Sequence, residues 1–175
     1  MKKLLILLML FSFNLFSCEK IDNLTQFHIN YDINLYVPDS LPVDTLVHLE
    51  QSSIAILPED FEANTTTKDL LEKVELTEVK IKINDSTANF DFLTDIELYI
   101  EATDLPKVRI AWSNDIADGI GDELELETLN DNIMDYFKQD KISISADIKA
   151  DQELSKTIPV NIYFDFLVDA KILGL

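Results

Sequence analysis

Strict alternation of apolar and polar side chains, sustained over a dozen residues at a time, is the feature that most limits what this chain can become. Phe27, Ile29, Tyr31, Ile33, Leu35 and Val37 alternate with Gln26, His28, Asn30, Asp32, Asn34 and Tyr36. A period of two places successive side chains on opposite faces of a strand, so one face is apolar and the other wet. Pro38 and Pro42 end this first strand. The pattern returns at Thr77, Val79, Ile81 and Ile83, before an Asn84-Asp85-Ser86 turn. Phe90, Phe92, Ile96, Leu98, Ile100 and Ala102 hold a further phase. Val108, Ile110 and Trp112 follow in a shorter strand that places Trp112 in the core. Leu124 and Leu126 come next, and then Ile142, Ile144, Ala146 and Ile148. The longest run is the last, from Ile158 through Phe164 and Phe166 to Ile172.

Two segments break the alternation. Thr66-x-x-Asp69 reads as a capping box, which predicts a helical turn or two near 67–74. Asn130 to Lys138 has mixed three- and four-residue spacing, with Asn130 or Asp131 as the cap. Residues 38–65 are the least readable, although Leu46, Val47, Leu49, Ile54, Ile56 and Leu57 can supply one or two further strands. Strands with one apolar face must pair those faces. The expected fold is therefore all-β: a two-sheet antiparallel β-sandwich with one or two short connecting helices. Only three glycines are present, which predicts longer connections than tight Asn-Gly hairpins and favours Greek-key or jelly-roll-like crossings.

The first 25 residues follow a different logic. Met1-Lys2-Lys3 is cationic, and Leu4 to Ser17 is uncharged and rich in Leu and Phe. A basic start before a short apolar stretch is the pattern of a secretory signal peptide. The uncharged run falls short of the ~20 apolar residues that cross a bilayer. Leu15-Phe16-Ser17-Cys18 resembles the lipobox of bacterial lipoproteins, with Phe16 departing from the usual small residue. That resemblance implies cleavage after residue 17, diacylglycerol on the Cys18 thiol and palmitate-type acylation of the new amino terminus. Cys18 is the sole cysteine, so it has no intramolecular disulfide partner. The expected organisation is a signal peptide over 1–17, a lipidated tether over 18–25 and a sandwich domain over 26–175. Glu19 after the cysteine, by the same resemblance, points to the outer membrane of the cell envelope.

Charge narrows the partners. The formal net charge is −19, and loss of Lys2 and Lys3 with the signal takes it to −21. Nucleic-acid binding depends on neutralising phosphates with Lys and Arg, which excludes that class. An acidic domain is also repelled by anionic lipid, so contact with the membrane is expected only through the lipid on Cys18.

Several core blocks resemble those of β-sandwich lipoproteins of Bacteroidota-type bacteria that have no known activity. They are Phe90-Asp91-Phe92-Leu93 with Ile96-Glu97-Leu98-Tyr99-Ile100, Ile110-Ala111-Trp112, and Phe166-Leu167-Val168-Asp169-Ala170. The resemblance implies a cell-envelope location and a sandwich fold, and it assigns no site residues.

Catalytic patterns are sparse. Neither His28 nor His48 neighbours a nucleophile motif in the sequence, Gly-x-Ser-x-Gly is absent, and two His with one Cys exclude zinc sites of the usual Cys/His types. The reading is a non-enzymatic binding or structural domain with no cofactor and with a protein or glycan partner in the envelope. Its alternatives are a lipid or small-molecule carrier and a carboxylate-based glycoside hydrolase. Asn114 to Glu123 holds two glycines and several oxygen donors, so Asp115, Asp118, Asp122 and Glu123 are candidate calcium ligands. The same residues also make an ordinary polar turn. Tyr36, Tyr99 and Tyr163 fall on the polar phase of their strands and are the candidate binding aromatics.

Overall fold

The computed structural model describes residues 25–49 and 52–171. The alternating stretches form strands β1 (Gln26–Val37), β4 (Leu71–Ile83), β5 (Leu93–Ala102), β6 (Leu105–Ser113), β9 (Lys141–Ala150) and β10 (Ile158–Ala170). The poorly patterned stretch supplies β2 (Leu46–His48) and β3 (Ser52–Ala55), and the acidic segment after Asp122 gives β7 (Glu123–Glu125) and β8 (Glu127–Thr128). Two short helices, α1 (Glu59–Glu62) and α2 (Met134–Phe137), and a 3-10 turn at Lys68–Leu70 lie in connections. Ile172, expected in the last strand, lies outside the described residues, as does the whole segment 1–24 with Cys18.

Among the described residues the strands build two sheets. One has the order β1-β10-β4-β7; the other has the order β2-β9-β5-β6-β8, with β3 following β2 along the same edge of β9. All the strand-to-strand ladders are antiparallel. The chain changes sheet between β1 and β2, between β3 and β4, between β4 and β5, between β6 and β7, and between β9 and β10. Buried Leu126 marks a further crossing, from β7 in the first sheet to β8 at the edge of the second. This order is a jelly roll, the second of the two crossing patterns expected from the sequence.

The inward faces meet in one core. Phe164 and Phe166 on β10 are fully buried, and Phe137 of α2 packs edge-on against Phe166 with ring centroids 4.8 Å apart. Tyr31 closes the same cluster, 6.1 Å from the Phe166 ring. Between the sheets lies a void of ≈ 20 Å³ lined only by apolar residues, including Leu35, Phe92 and Ile162. That is near the size of one water, so side chains fill the space where a carrier would hold its cargo.

Four local expectations are corrected. Trp112 is not in the core. Leu98 faces Ala111 while Tyr99 faces Arg109, so Ile110 is an extra residue on β6. The bulge buries both Ile110 and Ala111 and turns Trp112 to the outer face opposite Glu97. The capping box at Thr66 does not form: the Thr66 hydroxyl donates to the Lys171 carbonyl at 2.7 Å, and β4 begins at Leu71. In the second helical segment Asn132, rather than Asn130 or Asp131, accepts the Met134 N–H, and also that of Val74, each at 3.0 Å. Finally, one tight hairpin exists without glycine. Ala102 pairs with Leu105, and Asp104 takes φ of 59°, a left-handed conformation that a short polar side chain tolerates.

Candidate functional site

The antiparallel order gathers four connections at one pole, opposite the end where β1 starts. They are residues 38–45, 84–92, 114–122 and 151–157. Loops held by a rigid sandwich are the usual place for function, and these are held to each other. Phe90 N–H donates to the Gly121 carbonyl at 2.9 Å, Asp151 N–H to the Phe92 carbonyl at 3.0 Å, and Asp44 N–H to the Ala150 carbonyl at 2.7 Å. Lys156 bonds the Asp85 carboxylate and reaches the Thr87 hydroxyl at 2.6 Å. Lys156 first, then the Thr87 hydroxyl and N–H, hold the Asp85 carboxyl well below the usual carboxylate range. A polar hollow of ≈ 180 Å³ opens between two of the loops, beside Thr87, Asn89, Gln152 and Lys156.

Asp91 organises this pole, and the sequence reading missed it. Its carboxylate accepts the Gly119 N–H and the Asn89 side-chain amide, each at 2.7 Å, and its carbonyl accepts the Gln152 side-chain amide at 2.8 Å. Nothing in the local sequence signals bonds to partners 28 and 61 residues away. Gly119 and Gly121 take φ of +82° and +87° with open space around each, so they serve the backbone turn rather than a close approach. Asp115 and Asp118 lie in this loop, with Asp122 at its end. Glu123 instead bonds Lys82 on the outer face of the first sheet. Among the described residues no three His, Cys, Asp or Glu side chains gather as a metal-holding group, so the four candidate calcium ligands are not brought together.

The three candidate tyrosines divide between the two outer faces. Tyr36 and Tyr163 lie on the outer face of the first sheet. Asn34 sits directly opposite Asn161, Tyr36 is two residues beyond that pair in one direction, and Tyr163 is two residues beyond it in the other. Strand rise and spacing put the two tyrosine Cα atoms roughly 14 Å apart. Tyr163, Asn161, Lys80 and Lys82 line a hollow of ≈ 390 Å³ beside short β7, and Tyr36 lines another of ≈ 480 Å³ at the β1 edge. Burial, with Asp165 and Glu78 nearby, raises the Tyr163 hydroxyl pKa.

Tyr99 belongs to a closed network on the other outer face. Its hydroxyl donates to Glu97 at 2.5 Å, and that bond, with burial, pushes its pKa up to about 12. Tyr99 and then Arg109 hold the Glu97 carboxyl low. The Lys107 ammonium lies 4.1 Å from the centre of the Tyr99 ring, and the Arg109 guanidinium 4.4 Å from that of Trp112. These cations cover faces a ligand would need. His48 hydrogen-bonds Asp147 on this face, two residues along β9 from Ser145. Ser145, however, is 1 % exposed and its hydroxyl has no partner among the described residues, so it is neither activated by His48 nor reachable.

No family model matches the chain, and no curated protein does. Several solved structures are similar. The Gt strain of infectious bursal disease virus shows 12 % identity and a TM-score of 0.38, covering 82 % of this chain and 32 % of that one. The decameric BFDV capsid protein shows 8 % identity and a TM-score of 0.41, covering 83 % and 98 %. The empty capsid of Triatoma virus shows 12 % identity and a TM-score of 0.32, covering 89 % and 92 %. This chain thus spans about a third of the length of the first of these. The jelly-roll assignment rests on the strand order of this chain itself.

Proposed function

We propose that this chain is a lipid-anchored cell-envelope protein whose jelly roll is a non-enzymatic binding domain. The observation that carries the reading is the leader: a cationic start, an uncharged run and a lipobox-like Leu15-Phe16-Ser17-Cys18 that contains the only cysteine. Strand β1 begins at Gln26, eight residues past Cys18, so the tether reaches at most roughly 28 Å. The pole where β1 starts would then face the membrane, and the pole organised by Asp91 would face away from it. The high negative charge favours a domain that stands off anionic lipid.

The alternatives draw less support. A carrier needs space between the sheets, and the apolar void that the described residues enclose there holds ≈ 20 Å³. A glycoside hydrolase needs a carboxyl raised in pKa to act as acid, whereas Asp85 and Glu97 are shifted the other way. The test is fractionation of cells expressing the native protein and Cys18→Ala, with mass spectrometry of the amino-terminal peptide. A native protein that carries lipid at Cys18 and sits in the envelope membrane, with Cys18→Ala released from it, supports the reading. A Cys18→Ala protein that stays in the membrane fraction overturns it. Protease added to intact cells then reports which side of the envelope the domain faces.

A further inference from the structure

We propose that the outer face of the β1-β10-β4-β7 sheet binds a neutral glycan chain across Tyr36, Asn34, Asn161 and Tyr163. The proposal rests on the reading of the domain as a binding module and names its ligand class. Tyr36 is 66 % exposed, a large aromatic left in water at the end of a strand. Tyr163 forms part of the wall of the ≈ 390 Å³ hollow. Aromatic rings offer flat apolar surfaces on which the C–H face of a sugar stacks, and the phenol adds a polar tip. Between the two rings stand the side chains of Asn34 and Asn161, directly opposite in register. Amides both donate and accept, which matches sugar hydroxyls. The Asn161 amide already donates to the Ile33 carbonyl at 3.3 Å, which fixes its orientation.

Charge selects the class of glycan. The cations beside Tyr163 are matched locally: Lys80 pairs with Glu78, and Lys82 with Glu123. Neither lysine is thus left unmatched to recognise an anionic polysaccharide. The other outer face is the natural control, because Lys107 and Arg109 already cover Tyr99 and Trp112.

The experiment is affinity electrophoresis of the detergent-solubilised full chain through gels containing β-glucan, mannan, xylan or chitin oligosaccharides. The expected result is retardation by at least one of these. Tyr36→Ala and Tyr163→Ala should each weaken it by about tenfold, and Tyr99→Ala should leave it unchanged. Tyr163→Phe keeps the ring and should retain retardation, which separates loss of stacking from misfolding. Unaltered mobility in every gel overturns the proposal, as does equal loss in Tyr99→Ala or native retardation in Tyr36→Ala and Tyr163→Ala. A chain that is anchored through Cys18 yet ignores every glycan sinks the glycan site alone. Membrane retention of Cys18→Ala sinks the lipoprotein reading alone.

Discussion

Tyr31 occupies the apolar phase of β1, yet it carries a hydroxyl into the space beneath α1. That hydroxyl donates to the Asp60 carboxylate at 2.7 Å, and the same carboxylate accepts the Leu57 N–H at 2.8 Å. A hydrogen bond to a charged acceptor contributes more than a neutral one, so Tyr31→Phe should lose ~1–2 kcal/mol in urea melts near neutral pH. Burial first, then Asp60, raises the Tyr31 pKa far above its ordinary 10.0. Below pH 10 the phenol is protonated whether the chain is folded or unfolded, and its contribution is fully present. Above pH 10 the unfolded chain ionises first, and stability falls as pH rises toward the folded pKa. The gap between native protein and Tyr31→Phe should therefore narrow between pH 9 and pH 11. A gap that stays constant over that range would refute the assignment. Asp91 makes the same point about context: its carboxylate and its backbone carbonyl hold two loops through partners distant in sequence.

Strand β10 is the element on which the first sheet depends. It pairs with β1 along one side and β4 along the other, and its residues alternate buried and partly exposed from Ile158 to Ala170. Phe164 sits at its middle with no exposed surface, stacked 6.1 Å from Phe166. Phe164→Ala removes a ring from a filled core that cannot collapse around the gap, so the expected cost is about 3–5 kcal/mol in a urea melt. A loss below about 1 kcal/mol would mean that this position is not core. Strand β6 shows how far a pattern can mislead. Val108, Ile110 and Trp112 alternate without fault, but the bulge opposite Leu98 and Tyr99 reverses the phase partway along. The bulge adds one residue to β6 opposite Leu98 and Tyr99, and the alternation of Val108, Ile110 and Trp112 does not reveal it.

Across the whole molecule the dominant global quantity is charge. With a formal −19, self-repulsion opposes the compact state, and the ion pairs that offset it, such as Lys80–Glu78 and Lys73–Glu75, lie at the surface, where each is worth little. Added salt screens the repulsion more than it weakens those pairs. Raising NaCl from low to moderate concentration should therefore stabilise the protein. A gain of 1 kcal/mol would raise Tm by about 2–4 °C for a chain of this size. A Tm that falls with salt would show that the specific pairs outweigh the net charge.

Strand existence and facing were legible because they follow from a local rule: a period of two with one apolar side allows little besides a sandwich. The exposure of Tyr36 on its polar phase is likewise a local pattern. Register and order are not local. That Asn34 meets Asn161, that Tyr99 lies on the sheet opposite Tyr163, and that Glu123 joins Lys82 instead of a cation loop depend on contacts between distant strands. Thr66 illustrates the competition: its sequence context offers a cap, but the residue is buried and its hydroxyl donates to the Lys171 carbonyl. Side-chain pattern alone thus determined that this protein has two apolar sheet faces to bury. The pairing of strands far apart in the chain decided which polar residues would share a face, because only tertiary contacts fix the register between them.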